Sequence, residues 1–404
     1  MMLRQPISTV GFIDEYCLLY RSVFEDVRSY ECFKWLHVGI VSPLSRKTLP
    51  KIAKLNGLKD GQSLHHFLRD SPWSVTQVRA IRLRLIQQQI GTRPISLCID
   101  ETVVAPFFTS PDYVAKQYIG NLGKTENGMV SVNAYAVVEN ITYPLLFNIY
   151  KPKSRLKAHD AYQSKPQLAV QLIQEIQALG FVIERVLADS LYGESAAVIS
   201  RLEKLNLPYI VAIRSNHGVL MMKGQRVRYN RWRAYEQALL ERPSEHRYIR
   251  EIIFGNRRRV RYYQITKGST EEPDKADSWF IMTNLSGDIL LSIATQYSLR
   301  MWIEYGFKQI KHELGWHDYR LTDYSSIERW WELVFSAYLL VSLHAEQFKH
   351  REKNTPTTTE ATSNAFPFRQ HPHWEPGTTW KSALNNLQLL LQPYWCWGWL
   401  EAWL

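Results

Sequence analysis

The sequence predicts an α/β protein: a mixed sheet with flanking helices, a β-rich basic insertion, and helical regions at both ends. Three observations predict it. Between Arg93 and Ile213, β-branched and aromatic runs alternate with amphipathic ones in the order strand-strand-strand-helix-strand-helix-strand. From residue 214 to about 290 the chain switches to alternating, arginine-rich runs. Before residue 90 and after residue 290, apolar residues recur at helical spacing.

The N-terminal stretch CLLYRSVFEDVRSYECFKWLHVGIV reads as helix. SRKTLPKIAKL, GQSLHHFLRD and SPWSVTQVRAIRLRLIQQQI read as three shorter helices, with Gly57 at a helix end and Ser71–Pro72 at a start. Scattered Lys and Arg suit a small DNA-binding or dimerisation domain; a plain helical lid has the same pattern. RPISLCIDETVV, VSVNAYAVV and ITYPLLFNIY then read as strands. KPQLAVQLIQEIQALG is an amphipathic helix ending at Gly180, FVIERVLAD a buried strand, ESAAVISRLEKLN a helix and LPYIVAI a strand. GQRVRYNRWRAYEQ, HRYIREIIFGNRRRVRYYQIT and SWFIMTNL make up the basic β-rich block.

Ser286 to Asp288 supply helix-start chemistry, and YSLRMWIEYGFKQIKHELGW (297–316) reads as one helix. SIERWWELVFSAYLLVSLHAEQFK reads as a buried helix, residues 351–376 as a flexible Thr- and Pro-rich loop, and SALNNLQLLLQPYWCWGWLEAWL as a Trp-rich helical tail. The expected division is a helical domain over 1–90, a core in two parts (91–213 and 291–348), an insertion over 214–290, and a loop with tail over 349–404.

Composition narrows the function. The chain has 404 residues, 45% hydrophobic and 22% charged, as in ordinary globular proteins. Its net charge of +11 and pI near 9.3 favour a polyanionic partner, nucleic acid before membrane. Most of the 14 Trp must be core. Cys17, Cys32, Cys98 and Cys396 are too scattered to suggest zinc or a disulfide framework. The N-terminus lacks a signal-peptide core and no apolar run approaches a membrane span, so a cytoplasmic location without membrane partners is expected.

Two acids stand out. Asp100 closes ISLCID and Asp189 closes ERVLAD. Unpaired buried carboxylates are costly, and open α/β sheets present functional groups at strand ends. A turn or helix cap is the plainer alternative for either residue alone. On the 297–316 helix, at about 100° per residue, Tyr297, Arg300, Glu304 and Lys311 fall within an arc of roughly 60°, with Lys308 beside them. Leu299, Ile303, Phe307, Ile310 and Leu314 form the neighbouring packed face. A solvated charged face would explain the ion pairs, but not Tyr297 in the same row. Asp100, Asp189 and Glu304 together offer hard oxygen ligands suited to Mg²⁺ or Mn²⁺. The chemistry they suit is metal-assisted phosphoryl transfer, with Arg and Lys holding phosphates.

These residues carry a resemblance. Tyr297, Arg300, Glu304 and Lys311 have the spacing Y-x2-R-x3-E-x6-K, which resembles the signature of bacterial insertion-sequence DDE transposases of the IS-four superfamily. QYIGNLGKTENGMVSV and LADSLYG look most like the IS-seven-oh-one subfamily, and the resemblance covers about residues 30 to 345. It implies an RNase H-like core interrupted by a β-rich insertion before the last catalytic helix. It implies that Asp100, Asp189 and Glu304 bind the catalytic metal ions, and that Tyr297, Arg300 and Lys311 contact transposon-end phosphates. In some relatives an insertion Trp stacks on a flipped base. Trp232, beside Arg231 in RYNRWR, and Trp279 are the candidates, with core packing the better account of Trp279.

NRRRVRYY, with Arg257, Arg258 and Arg259, and KPKSRLKAH are the best backbone-binding runs. The expected protein is a cut-and-paste transposase that binds inverted terminal repeats of double-stranded DNA, cleaves, and joins the ends to target DNA. A homodimer in a paired-end complex, associated with the bacterial nucleoid, is the family expectation. Its rivals are an RNase H-fold resolvase that cleaves without joining, and a domesticated, non-catalytic DNA-binding protein.

Overall fold

The computed structural model describes residues 4–104, 112–119, 124–237, 243–256, 259–354, 371–376 and 379–400. The N-terminal region forms α1 (Gly11–Leu18), α2 (Val27–Val41), α3 (Leu49–Leu55), α4 (Gln62–Arg69) and α5 (Val75–Ile90). The first run, expected as one helix, breaks at Asp26, whose carboxylate caps α2 by accepting the Ser29 N–H. The cap of α5 is Ser74, not Ser71–Pro72, because the Ser74 side chain accepts from the Gln77 N–H. Gly57 does end a helix, at φ +68°.

The strands are β1 (Ile95–Val104), β2 (Ala115–Ile119), β3 (Lys124–Val138), β4 (Ile141–Ile149), β5 (Ile183–Ala188) and β6 (Tyr209–Ile213), then β7 (Val227–Tyr229), β8 (Arg233–Gln237), β9 (Glu245–Phe254), β10 (Arg261–Thr266) and β11 (Ser278–Thr283). Strand β2, whose apolar content is low, escapes the sequence pattern. Glu139 and Asn140 both adopt positive φ, the tight-hairpin geometry joining β3 to β4. Between β4 and β6 run α6 (Lys165–Ala178), the one-turn α7 (Ser190–Gly193) and α8 (Ala196–Lys204). Ser164 and Gln167 form a reciprocal capping box at the start of α6.

The eleven strands of the described residues share one mixed sheet, ordered β2-β3-β1-β5-β6-β11-β10-β9-β7, with β4 beside β3 and β8 beside β9. The β1–β5 and β5–β6 pairs are parallel, and β6 then receives β11 antiparallel. The basic strands therefore extend the core sheet rather than build a sheet of their own. This mixed α/β architecture is consistent with the RNase H-like fold.

After β11 come α9 (Leu290–Ser298), α10 (Met301–Lys308), a π turn over Gln309–Glu313, α11 (Tyr324–Asn354) and α12 (Trp380–Leu400). The start of α9 is at Ile289 without a side-chain cap, so Ser286 and Asp288 do not serve as expected. The long α11 is the buried centre: Trp330, Trp331, Val334, Phe335, Leu339 and Leu340 are wholly inaccessible. Trp331 stacks on Trp316 with centroids 4.4 Å apart. Helix α12 buries Trp380, Leu384, Leu387 and Leu391 and exposes Trp397, Trp399 and Leu400. Most of the expected Thr- and Pro-rich loop lies outside the described residues. Among the described residues, no helix is long and apolar enough to cross a membrane.

Candidate active site

The site forms where β1, β5 and the α9–α10 junction meet. Asp100 is not at a strand end. It sits mid-strand in β1, opposite Asn133 of β3, because β1 continues to Val104. Strand β5 stops earlier: Ile99 pairs with Ala188, so Asp100 comes level with Asp189. Asp189 is both strand end and helix cap, its Oδ1 accepting the Leu191 N–H at 2.9 Å.

Alternation along β1 points Cys98 and Asp100 to the same face. That face meets the α9–α10 junction: the Cys98 thiol donates to the Leu299 carbonyl at 3.6 Å, and Arg300 Nη1 donates to Asp100 Oδ2 at 2.7 Å. Arg300 Nη2 also donates to Glu304 Oε1. One guanidinium thus bridges two of the predicted acids. Gly306 lets α10 lie this close, since a Cβ there would stand 2.9 Å from the Tyr135 ring.

The predicted single helix is therefore two helices and a π turn. Tyr297 ends α9, Arg300 lies at the junction and Glu304 is in α10, so the first three polar residues still converge. Lys311 follows within the π turn, half-buried. Burial alone lowers its amine to about 8. Lys308 stays exposed, 6.0 Å from the Tyr305 ring centroid.

The electrostatics reflect crowded carboxylates. Burial raises the Asp100 pKa, and the neighbouring Asp189 charge raises it further against the pull of Arg300. Asp189 is raised by burial first and then by the charge of Glu101, while Arg300 and the N–H groups of Leu191 and Tyr192 oppose the shift. Burial disfavours the Arg300 charge, yet Tyr297, Asp100, Glu304 and Asp189 hold it protonated. Tyr297 is pushed up to about 12, chiefly by burial. Asp100 and Asp189 repel each other, and Arg300 is the cation that compensates Asp100. Among the described residues, no three His, Cys, Asp or Glu stand close enough together to hold a metal ion. The donor set nonetheless fits a hard divalent cation: its groups are carboxylate oxygens, and the excess negative charge already draws a cation among them.

Three residues of this neighbourhood escaped the sequence reading. Glu101 accepts from Lys165 Nζ at 2.9 Å and from the Tyr192 hydroxyl at 3.2 Å. Their only sequence signal is that Glu101 follows Asp100 in a strand and so must face the other way.

The basic candidates lie elsewhere. Arg231 is exposed on the β7–β8 link. Trp232 donates its indole N–H to the Thr270 carbonyl at 3.0 Å and has the Arg250 guanidinium 4.2 Å from its ring. Trp279 is not core, as expected, but partly exposed in β11, with Arg247 4.8 Å from its ring. Arg259 reaches Glu203 at 3.3 Å; Arg257 and Arg258 lie outside the described residues. In the KPKSRLKAH run, Lys157 pairs with Asp112 at 2.7 Å and Lys151 with Asp160, so much of its charge is already neutralised.

Comparison with known proteins gives two matches. The family model "DDE superfamily endonuclease" matches residues 24–251, a span that holds Asp100 and Asp189 and ends before Glu304. The chain is also 50% identical over 326 residues to the "Probable transposase for insertion sequence element IS701" of Microchaete diplosiphon, covering 80% of this chain and 86% of the relative.

Proposed function

This chain belongs to the DDE superfamily endonucleases, among the IS701-type transposases, and from that premise we propose that it cuts and rejoins the ends of its own insertion sequence. It binds the inverted terminal repeats, hydrolyses strands at the element's ends, and transfers the freed 3′-hydroxyls to target DNA. The observation that carries this reading is that Arg300 ties together acids from distant parts of the chain. Asp100 and Asp189 lie level on paired strands, and Arg300 bonds both Asp100 and Glu304.

DDE membership implies divalent metal use. Asp100, Asp189 and Glu304 would hold Mg²⁺ or Mn²⁺, which when bound activates a water or hydroxyl and stabilises the leaving oxygen. Arg300 then exchanges carboxylate partners for phosphate oxygens, a match for its bidentate fork. Tyr297 keeps its proton at neutral pH and can donate a hydrogen bond to a phosphate. Exposed Lys308 screens the approaching strand, while half-buried Lys311 orders the end of the helix and offers an amine at its edge. Arg231, Arg257, Arg258 and Arg259 would add contacts to the DNA phosphates. Trp232, with Arg250 beside its ring, is a platform for a base. The helical N-terminal residues 1–90 would recognise the ends, and two chains would pair two ends.

Asp100→Asn and Asp189→Asn test the reading on duplexes carrying the element's end. Cleavage should fall by at least about 10³-fold, with end binding kept within a few-fold. Cleavage surviving in either variant would overturn the assignment. Supplying pre-cleaved ends then tests joining: cleavage by the native chain without strand transfer would favour a resolvase.

A further inference from the structure

On the face of β1 opposite Arg300, Glu101 closes a chain of contacts that ends at Asp189. Lys165, the first residue of α6, donates to one Glu101 oxygen at 2.9 Å and the Tyr192 hydroxyl donates to the other at 3.2 Å. Tyr192 is wholly buried, so its hydroxyl needs a protein partner. It stands three residues after Asp189, inside the single turn that Asp189 caps. That turn is pressed onto β6: a Cβ on Gly193 would stand 1.9 Å from the Ala212 carbonyl oxygen. A one-turn helix has little stability of its own. Its position is therefore set by the Asp189 cap, the contact of Gly193 with β6, and the Tyr192–Glu101 bond. The Glu101–Lys165 pair alone, mostly buried, would not explain a buried tyrosine spent on the same carboxylate.

We propose that Glu101 is a positioning residue: through Tyr192 it fixes the α7 turn, and so the direction in which Asp189 presents its carboxylate, with Lys165 orienting and neutralising Glu101. The inference rests on reading Asp189 as a metal ligand. Groups that orient metal ligands typically matter by about 10–100-fold in metal affinity.

The test is Mn²⁺ binding to the full-length, DNA-free chain, followed by the electron paramagnetic resonance of free Mn²⁺. Glu101→Ala should weaken binding about tenfold. Glu101→Gln loses the same charge, but its amide can accept from Lys165 and donate to the Tyr192 oxygen, so its affinity should stay within about threefold of native. Tyr192→Phe removes only the hydroxyl and should weaken binding at least threefold, which keeps the test available if Glu101→Ala fails to fold. Native affinity in Glu101→Ala or in Tyr192→Phe would overturn the inference. Equal loss in Glu101→Gln and Glu101→Ala would also overturn it, because Glu101 would then act by its charge or as a ligand. Asp189→Asn separates the two readings: if it binds Mn²⁺ normally, the metal assignment itself fails and this inference with it. If Asp189→Asn is weakened while Glu101→Ala is not, the positioning role alone fails.

Discussion

Single buried groups set opposing pH responses in this protein. His37 of α2 is wholly inaccessible; its Nδ1–H donates to the Phe33 carbonyl and its Nε2 accepts from the Ser336 hydroxyl, each at 2.8 Å. Burial lowers its pKa to about 4. The unfolded chain, with an ordinary histidine near 6.5, binds the proton first as pH falls. Stability from neutral His37 is therefore complete above about pH 6.5 and is lost as pH drops toward 4, by an amount on the order of 3 kcal/mol. The raised acids Asp100 and Asp189 have the opposite sign: their contribution declines as pH rises from the ordinary carboxylate range through their raised pKa values. Urea unfolding of native and His37→Gln chains between pH 4.5 and 7 isolates the histidine. The native-minus-variant difference should shrink as pH falls, and parallel curves would sink the assignment.

Several helices of the N-terminal region pack on α11, and α5 adds a buried ion pair to it. Arg82 of α5 and Glu332 of α11 are both wholly buried and lie 2.5 Å apart, and Arg79 adds a second contact to Glu332 at 3.0 Å. Arg82 also donates to the carbonyls of Pro144 and Leu145 on β4. Burial opposes ionisation of Glu332, but the two arginines hold its pKa low. Glu332→Ala leaves Arg82 charged and buried without its carboxylate, which should cost about 3–5 kcal/mol. Chemical denaturation measures this directly, and a loss below about 1 kcal/mol would mean that water or the backbone carbonyls replace the pair. Beside the site the chain is irregular, with a break before Met301 that carries Arg300 and a π turn after Lys308 that carries Lys311.

Over the whole molecule, the excess of basic residues sets the expected response to salt. The +11 charge predicts DNA affinity dominated by counterion release. If six to ten phosphates are neutralised, raising salt from 50 to 200 mM should weaken duplex binding by about 10³-fold or more. Fluorescence anisotropy at several salt concentrations gives the slope, and a flat plot would exclude a polyanion-binding role for that charge. The strands from β7 to β11 hydrogen-bond outward from β6 in the same sheet as Asp100.

How much of this was legible depended on how local each signal is. Periodicity and turn chemistry suffice for the β1, β3, β4, α6, β5, α8, β6 order, for the buried α11, and for Asp100, Asp189 and Glu304 as candidates, because each rests on residues near one another in sequence. Tertiary contacts decided the rest. The 297–316 segment looks like one helix because a wheel assumes a constant turn angle, whereas in the fold it breaks where Leu299 meets Cys98 and passes into a π turn after Lys308. Trp279 looks like core by residue type, but burial depends on whether a neighbouring layer covers its strand. Glu101 shows nothing on its own: a carboxylate becomes a support for Asp189 only when strand alternation turns it toward Lys165 and Tyr192, two groups separated from it in the chain and joined to it by the fold.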